Sequence, residues 1–331
     1  MKCLVTGGAG FIGSNVVDAL LAKGHTVRVL DNLSTGKREN LKPLTLSLSP
    51  QGRGLGERGG SFEFIEGDLR DKETVRRAVH GVDYVFHIAA LRAVLRSVED
   101  PTETNDVNVS GTLNLLLTAR ELDVKRVIFS SSSSVYGETE VFPLKETALP
   151  NPQSPYAASK IMGEYYCRIF TKLYGLETVA LRYFNVFGPR QNPESKYSAV
   201  IPIFIDCLLK GRAPEIHWDG KQSRDFSFVD NVIEGNLRAA EAPGVSGEVF
   251  NIACHEEFSV LDIFNYLKDI LKIRDVEPTF KPKRAGDVRR TFADISKAEK
   301  RLGFKVQTRF REGLEKTVKW FLESGVLEST R

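Results

Sequence analysis

The sequence predicts an α/β fold built on a doubly wound parallel sheet. Apolar, strand-like runs alternate with helical patterns through the first half of the chain, and such alternation is typical of parallel strands covered by helices on both faces. The predicted strands are Lys2 to Thr6, Thr26 to Leu30, Phe62 to Glu66, Asp83 to His87, Arg126 to Ser130 and Thr178 to Arg182. Helices are predicted between them, as at Ser14 to Lys23 and at Asn108 to Glu121.

The composition excludes several classes of protein. With 331 residues, 41% of them hydrophobic, the chain can bury a large core and a second lobe. A net charge of +3 is too balanced for a dedicated nucleic-acid binder, and the four cysteines and five histidines show no metal-site or disulfide spacing. The first residues reach glycine too early for a secretory signal and no apolar run has membrane length, so we expect a cytoplasmic protein.

The pattern changes twice along the chain. After about residue 186 the alternation loosens, so we expect residues 1–185 to form one domain and residues 186–331 a smaller C-terminal α/β lobe that completes a substrate cleft. Some later segments can return to the first domain. Residues 43–60 are rich in Gly, Arg and Ser, which predicts a flexible insertion. Within it, Thr45 to Leu48 alternates like a short strand and the remainder has turn chemistry.

A glycine-rich turn follows the first predicted strand. Gly7, Gly10 and Gly13 lie where a strand passes into a helix, and glycines there let the backbone approach a pyrophosphate at the helix N-terminus, as in Rossmann-type folds. Asp31 ends the second strand, where a carboxylate can bind the adenosine ribose hydroxyls and repel a ribose phosphate. The turn therefore favours NAD over NADP; the alternative is that Asp31 is an ordinary turn residue.

A tyrosine and a lysine share one face of a later helix. Ser154 and Pro155 predict its start and Gly175 its end, and Tyr156 and Lys160 are four residues apart. Tyr–Lys pairs at this spacing are common on solvated helices and by themselves indicate no function. This pair is a candidate for catalysis because it follows a predicted dinucleotide-binding site in the chain. A phenol titrates near about 10, so Tyr156 can act as a base only if its anion is stabilised by Lys160, the oxidised nicotinamide and the helix N-terminus.

Together these motifs resemble the extended short-chain dehydrogenase/reductase family, and within it the NAD-dependent nucleotide-sugar epimerases. The glycine spacing, Gly67-Asp68-Leu69, His87-Ile88-Ala89-Ala90 and the Tyr156/Lys160 pair carry the resemblance, which covers nearly the whole chain. The cofactor-binding residues it implies are Gly7, Gly10, Phe11, Ile12, Gly13, Asp31, Asn32, Asp68, Leu69, Ala89, Ala90, Arg92, Asn108, Tyr156, Lys160 and Phe184.

Five consecutive serines, Ser130 to Ser134, begin at the last residue of the fifth predicted strand. Counted back from Val135, the resemblance to UDP-sugar epimerases assigns Ser132 as the catalytic hydroxyl that relays a proton between the sugar and Tyr156. In the family's 4,6-dehydratases the positions of Ser133 and Ser134 carry an Asp and a Glu. A serine hydroxyl is a poor substitute for these acids, so the resemblance favours an epimerase over a dehydratase.

The resemblance also implies substrate contacts in the second half of the chain. The implied substrate-binding residues are Ser132, Asn185, Gln191, Arg224, Arg284, Asp287 and Thr291. Arg224 and Arg284 would clamp the UDP pyrophosphate and Asp287 the uridine ribose, although exposed arginines are more often simply solvated. The Asn-Leu pair that binds uracil in galactose-type enzymes is absent, and Ala199-Val200 stands there instead.

Thr291 bears on the choice of sugar. It stands where epimerases restricted to glucose and galactose carry a bulky tyrosine, so the resemblance implies room for an N-acetyl group; the alternative is that its size reflects local packing only.

The resemblance therefore implies NAD-dependent 4-epimerisation of a UDP-sugar through a transient 4-keto intermediate. The substrates expected are UDP-GlcNAc/UDP-GalNAc, UDP-Glc/UDP-Gal or both, and the enzyme is expected to be a homodimer paired through the helices of Asn108 and Tyr156. The alternatives are a UDP-uronic acid 4-epimerase, a nucleotide-sugar 4,6-dehydratase and, less favoured, a non-enzymatic NAD-bound regulator. We expect no metal, nucleic-acid or membrane partner.

Overall fold

The computed structural model describes residues 1–44, 53–55, 61–92, 94–193, 199–283 and 288–324. The strands are β1 Lys2–Thr6, β2 Thr26–Asp31, β3 Arg53–Leu55, β4 Ser61–Glu66, β5 Tyr84–His87, β6 Arg126–Ser132, β7 Glu177–Tyr183, β8 Val186–Phe187, β9 Glu215–His217, β10 Ser223–Asp225, β11 Ser227–Phe228, β12 Glu248–Ile252, β13 Glu257–Ser259, β14 Thr279–Lys281 and β15 Arg290–Thr291. The helices are α1 Phe11–Ala22, α2 Lys72–Val79, α3 Val94–Glu99, α4 Pro101–Asn105, α5 Gly111–Glu121, α6 Pro155–Tyr174, α7 Val200–Leu209, α8 Val229–Glu241, α9 Val260–Leu271, α10 Ser296–Leu302 and α11 Phe310–Glu323.

The large sheet has the order β12-β7-β6-β5-β1-β2-β4-β3, and every pair is parallel except β3 with β4. The doubly wound α/β prediction is confirmed, and all six predicted strands are present. The largest difference is in β6, which runs on to Ser132 because its ladder with β7 continues to the Ser132–Tyr183 pair.

Helices cover both faces of this sheet. Apolar residues of α1 and α8 pack on one face, and those of α2, α5 and α6 pack on the other. Such two-sided burial explains why the strands are continuous apolar runs rather than alternating ones. The helix predicted from Asn108 begins earlier, at Pro101, where Asp100 caps α4, and a π-helical turn at Asp106–Ser110 joins α4 to α5.

The second half of the chain contributes to two regions. Its helix α8 and strand β12 complete the large sheet, whereas α7, α9 and α11 enclose a separate aromatic core. That core contains Phe187, Phe204, Phe226, Phe228, Phe264 and Phe310. The division at residues 185 and 186 stays a prediction.

Strand β3 falls inside the predicted insertion at residues 43–60. Its residues were assigned turn chemistry, and this assignment is wrong, since Gly54 pairs with Phe62 in an antiparallel ladder. The physical reason is that β4 would otherwise be an edge strand with unpaired backbone groups. The strand predicted at Thr45 to Leu48, and most of the segment predicted to be flexible, lie outside the described residues.

Two arginines join the amino ends of strands to the ends of helices. Arg28 donates to the carbonyls of Arg77, Ala78 and His80 at the end of α2 and pairs with Glu63. Arg126, at the start of β6, makes the same arrangement at the end of α8. In both cases a guanidinium satisfies carbonyls that a helix C-terminus leaves open.

Arg126 is 6% exposed. Its Nη1 donates to the carbonyls of Ala239, Ala240 and Ala242 at 2.8–3.1 Å, and its Nε donates to Glu177 at 2.8 Å. Since three carbonyls depend on one side chain, Arg126 is a structural residue of the amino edge of the sheet.

Among the described residues, no helix combines the length and the apolar character that crossing a membrane requires. No group of three or more His, Cys, Asp or Glu side chains suited to a metal occurs in that part of the chain either. The cytoplasmic location stays a prediction.

Candidate active site

A cleft of about 690 Å³ opens at the carboxyl edge of the large sheet. In an open parallel sheet this edge is where ligands bind, because the strand ends and helix N-termini converge there. The predicted cofactor residues that line it are Gly7, Gly10, Phe11, Ile12, Gly13, Asp31, Asn32, Asp68, Leu69, Ala89, Ala90, Arg92, Tyr156 and Lys160.

The glycine turn is shaped for close backbone contacts. Gly7 has φ +68°, and a Cβ on it would lie 2.7 Å from Ala89 Cα. A Cβ on Gly13 would lie 2.1 Å from the Gly7 carbonyl oxygen. Gly10 is the N-cap of α1 and provides no side-chain cap, so the first-turn amides of α1 face the cleft and suit an anion such as a pyrophosphate.

Asp31 joins the glycine turn to the end of β2. Its Oδ2 accepts from the Ala9 amide at 2.9 Å and its Oδ1 from the Leu33 amide at 2.8 Å. Burial raises the pKa of Asp31, and the two amides oppose that shift. Asp31 thus orders the turn and lines the cleft at the same time. Its contact with an adenosine ribose stays a prediction.

Helix α6 begins and ends as predicted. The Ser154 hydroxyl accepts from the Ala157 amide at 3.2 Å, and Gly175 ends the helix with φ +73°. Lys160 is 4% exposed, and its Nζ donates to the Ser130 carbonyl at 2.8 Å. Burial lowers the pKa of Lys160 to about 8, and the Glu164 carboxylate opposes this shift.

The Tyr156 hydroxyl lies near Ser132; the proton relay between them stays a prediction. Burial raises the pKa of Tyr156, whereas the nearby Ser132 hydroxyl and the positive charge of Arg92 lower it. The first effect is the larger, so these protein groups alone leave the phenol protonated at neutral pH. A cationic ligand beside Tyr156 would favour the phenolate.

The serines of the run Ser130 to Ser134 have different hydrogen-bond partners. Ser130 shares a 3.0 Å hydrogen bond with the Tyr183 hydroxyl, and Ser131 donates to Glu164 at 2.5 Å. Ser132 is partly exposed and accepts from the Ser134 amide at 3.2 Å. The Ser134 hydroxyl is buried and has no hydrogen-bond partner among the described residues. Of the first three hydroxyls, that of Ser132 is the one that lies near Tyr156 and lowers its pKa.

Two predicted cofactor residues lie outside the cleft lining. Asn108 is 2% exposed, and its amide binds both the N–H and the C=O of Leu91 and also the Ser159 hydroxyl. Its hydrogen-bonding groups are thus used inside the protein, and it acts on the cleft through Leu91. Phe184 is fully buried and packs against Tyr136, with 6.1 Å between the ring centroids.

Three predicted substrate residues meet around the β10–β15 pair. The Asn185 amide donates to the Asp225 carbonyl at 2.9 Å and to the Thr291 hydroxyl at 3.2 Å. Arg224 donates to the Val288 carbonyl at 2.7 Å. Gln191 is 2% exposed and lines the cleft beside α1. Arg284 and Asp287 lie outside the described residues.

Two charged residues in or next to the cleft were not predicted as site residues from the sequence. Arg190 lines the cleft and pairs with Asp18 on α1 at 2.5 Å. Glu164 lies one helical turn beyond Lys160 and is 4% exposed. The spacing of Glu164 from Lys160 repeats that of Lys160 from Tyr156, and this repeat was a usable signal.

Comparisons with known proteins agree with this geometry. Residues 3–253 match the model of the NAD dependent epimerase/dehydratase family. The chain is 40% identical over 323 residues to UDP-glucose 4-epimerase of Mycolicibacterium smegmatis, covering 97% of this chain and 98% of that protein.

Solved structures are similar over almost the entire chain. UDP-N-acetylglucosamine 4-epimerase from Methanobrevibacter ruminantium, in complex with UDP-N-acetylmuramic acid, is 41% identical with a TM-score of 0.88 and covers 98% of both chains. UDP-glucose 4-epimerase from Thermotoga maritima, with UDP-glucose, is 40% identical with a TM-score of 0.89 and covers 98% of this chain and 99% of that one.

The chain therefore belongs to the NAD dependent epimerase/dehydratase family. The resemblance to the extended short-chain dehydrogenase/reductase family and the prediction of NAD as cofactor are confirmed.

Proposed function

We propose that this protein is an NAD-dependent UDP-sugar 4-epimerase that works through a transient 4-keto sugar. The observation that carries the proposal is the meeting of Ser132, Tyr156 and Lys160 at the carboxyl edge of the sheet, beside a glycine turn that suits a pyrophosphate. Relatives about 40% identical over nearly their full length bear the name of this activity.

The residues of the cleft have complementary tasks. When bound, NAD supplies the reversible two-electron chemistry that interconverts a 4-hydroxyl and a 4-keto group. The glycine turn and the N-terminus of α1 would hold its pyrophosphate, and Asp31 its adenosine ribose. Ser132 hydrogen-bonds the sugar 4-hydroxyl, Tyr156 takes and returns its proton, and the Lys160 ammonium favours the phenolate. Because one Tyr156 serves both half-reactions, the chain needs no second acid.

The alternative function within the same enzyme family is that of a nucleotide-sugar 4,6-dehydratase. Elimination of water needs an additional acid and base beside the sugar, and residues 133 and 134 supply hydroxyls instead of carboxylates. Incubation with the glucose, N-acetylglucosamine and glucuronic acid forms of the UDP-sugar, followed by proton NMR, tests the proposal. We expect the 4-epimer of at least one. The methyl signal of a deoxy sugar would instead show dehydratase activity. If none of the three UDP-sugars is converted, the NAD-bound regulator is favoured.

We further propose that N-acetylated sugars are accepted, because a threonine stands where a tyrosine would fill the sugar's 2-position. Thr291 is 8% exposed, and its hydroxyl accepts from Asn185, which favours a fixed side chain beside the predicted substrate residues.

We propose that the active form is a homodimer. Four apolar residues follow one exposed face of α6 at helical spacing and are 40–65% exposed: Met162, Tyr165, Ile169 and Leu173. Val94, Leu95 and Val98 on α3 add further exposed apolar surface. Size-exclusion chromatography with light scattering tests this, with Ile169→Glu expected to give monomers and Lys172→Glu, an exposed polar position on α6, expected to leave the dimer intact. A monomeric wild type would refute the proposal.

A further inference from the structure

A buried ion pair lies directly behind the Tyr156–Lys160 pair. Glu164 follows Lys160 by four residues on α6, so Tyr156, Lys160 and Glu164 share one face of the helix. Arg182 on β7 binds both carboxylate oxygens of Glu164, with Nε to Oε1 at 2.8 Å and Nη2 to Oε2 at 2.7 Å. Both side chains are at most 4% exposed.

Stability alone is a weak reason for such a pair. Removing two charges from water is costly, and well-packed apolar residues of similar volume often stabilise a core as well or better. A buried, bidentate pair adjoining a reactive group therefore calls for a functional account.

Glu164 also touches the strand end that carries the reactive serine. The Ser131 hydroxyl donates to Glu164 Oε1 at 2.5 Å. Ser131 lies between Ser130, whose carbonyl accepts from Lys160, and Ser132, whose hydroxyl lies near Tyr156. Glu164 thus binds the segment that positions two reactive groups.

We infer that Glu164 is a positioning residue that keeps Lys160 cationic during the reaction, with Arg182 limiting how much negative charge Lys160 experiences. The inference rests on the proposed function, in which the Lys160 ammonium supports the Tyr156 phenolate.

The other titratable groups around Lys160 do not take this role. His87 is buried between the hydroxyls of Thr6 and Thr112, and burial with the charge of Lys160 lowers its pKa to about 3, so it is neutral. Arg92 is a cation, and Tyr156 is the group that Lys160 serves. Burial lowers the Lys160 pKa to about 8, whereas the Glu164 carboxylate raises it.

Removal of Glu164 and removal of Arg182 should shift the alkaline limb of the kcat–pH profile in opposite directions. Activity falls as pH rises through the pKa of Lys160, because the ammonium is lost. Glu164→Gln removes the carboxylate and leaves Arg182 unpaired, so the alkaline limb of the kcat profile moves to lower pH. Arg182→Gln leaves the carboxylate less neutralised, so the alkaline limb moves to higher pH. We expect shifts of about one pH unit in opposite directions.

The two substitutions are matched controls for each other, because both break the same buried pair. The holoenzyme of each is assayed across pH, with folding checked by circular dichroism and NAD content by absorbance. Opposite shifts support the inference. Parallel shifts, or a lower kcat at unchanged limbs, would overturn it and leave the pair a structural role.

Two further measurements complete the test. If Glu164→Gln or Arg182→Gln fails to fold, the Glu164→Gln/Arg182→Met double variant, which has no unpaired charge, is assayed in its place. Its alkaline limb should lie at lower pH than that of the wild type and, where Glu164→Gln folds, at higher pH than that of Glu164→Gln. A limb outside these bounds would overturn the inference.

A wild type that converts no UDP-sugar refutes the proposed function alone. NMR titration of the Lys160 side chain in the NAD-bound protein then tests the inference directly, and the same opposite displacements are required.

Discussion

The two edges of the large sheet use polar residues in opposite ways. At the amino edge, Arg28 and Arg126 are saturated by helix-terminal carbonyls and by a carboxylate each. At the carboxyl edge, the Lys160 ammonium has a lowered pKa, the Tyr156 phenol a raised one, and the N-terminus of α1 opens into the cleft.

The difference separates structural charge from reactive charge. A desolvated group whose pKa is shifted beside an open cleft is a candidate for chemistry, whereas a fully hydrogen-bonded one mainly holds elements together. Substitutions at the two edges should therefore affect different observables.

The largest expected effect is on turnover at the carboxyl edge. Tyr156→Phe removes the proposed base and should lower kcat by about two to four orders of magnitude, with fold and NAD content retained. Tyr166→Phe, the same exchange on α6, should keep kcat within about twofold of the wild type. Steady-state kinetics on an accepted UDP-sugar measures both, and near-normal turnover of Tyr156→Phe would exclude the proposed base.

The next effect concerns the cofactor. A Cβ on Gly13 would lie 2.1 Å from the Gly7 carbonyl, so Gly13→Ala must displace the turn and should abolish NAD retention. The control is Gly175→Ala, which has φ +73° and no atom within 4 Å of its Cβ. It should cost about 1 kcal/mol of stability, because a Cβ is disfavoured in the left-handed region, and leave NAD bound. Absorbance of the purified proteins and calorimetric titration measure retention, and full NAD content in Gly13→Ala would contradict the site.

At the amino edge the expected loss is in stability. Arg126→Ala leaves three helix-terminal carbonyls and Glu177 without their partner and should lower the free energy of unfolding by about 3 kcal/mol. The kcat per folded molecule should not change. Lys125→Ala, a neighbouring residue whose side chain is 65% exposed, should change stability by under about 1 kcal/mol. Urea denaturation provides the numbers. If Arg126→Ala lowers kcat without lowering stability, the distinction between a structural amino edge and a reactive carboxyl edge is wrong.

Thr291 lies at the carboxyl edge beside the predicted substrate residue Asn185, and its hydroxyl accepts a hydrogen bond from that residue. A change in its size should therefore alter the choice of substrate more than the stability. Thr291→Tyr should abolish conversion of UDP-GlcNAc by steric exclusion and spare UDP-Glc, a selectivity change of about 100-fold or more. Thr291→Val keeps the size, loses the hydrogen bond with Asn185 and should preserve both activities. Competition assays with the two sugars compare the variants. Equal loss of both activities in Thr291→Tyr would leave Thr291 as a packing residue.

Local sequence signals were sufficient to predict the main strands, helix α6 and most of the residues that line the cofactor cleft. The cap Ser154 and the terminator Gly175 define α6, and the glycine turn with Asp31 predicts a dinucleotide cleft, because each signal acts within a few residues of its own position. The same holds for the apolar strands, whose two-sided burial is visible in their composition.

Contacts between side chains of different elements depend on the folded structure. The direction of Ser131 toward Glu164, the binding of Asn108 to Leu91 and the pairing of Glu164 with Arg182 all join different elements. The pairing of β3 with β4 likewise depends on an edge that exists only once the sheet has formed. A hydrogen bond between distant segments is set by the topology that brings them together, and no pattern within one segment records its partner. For that reason the sequence determined the reactive residue types, whereas their charge states came from the fold.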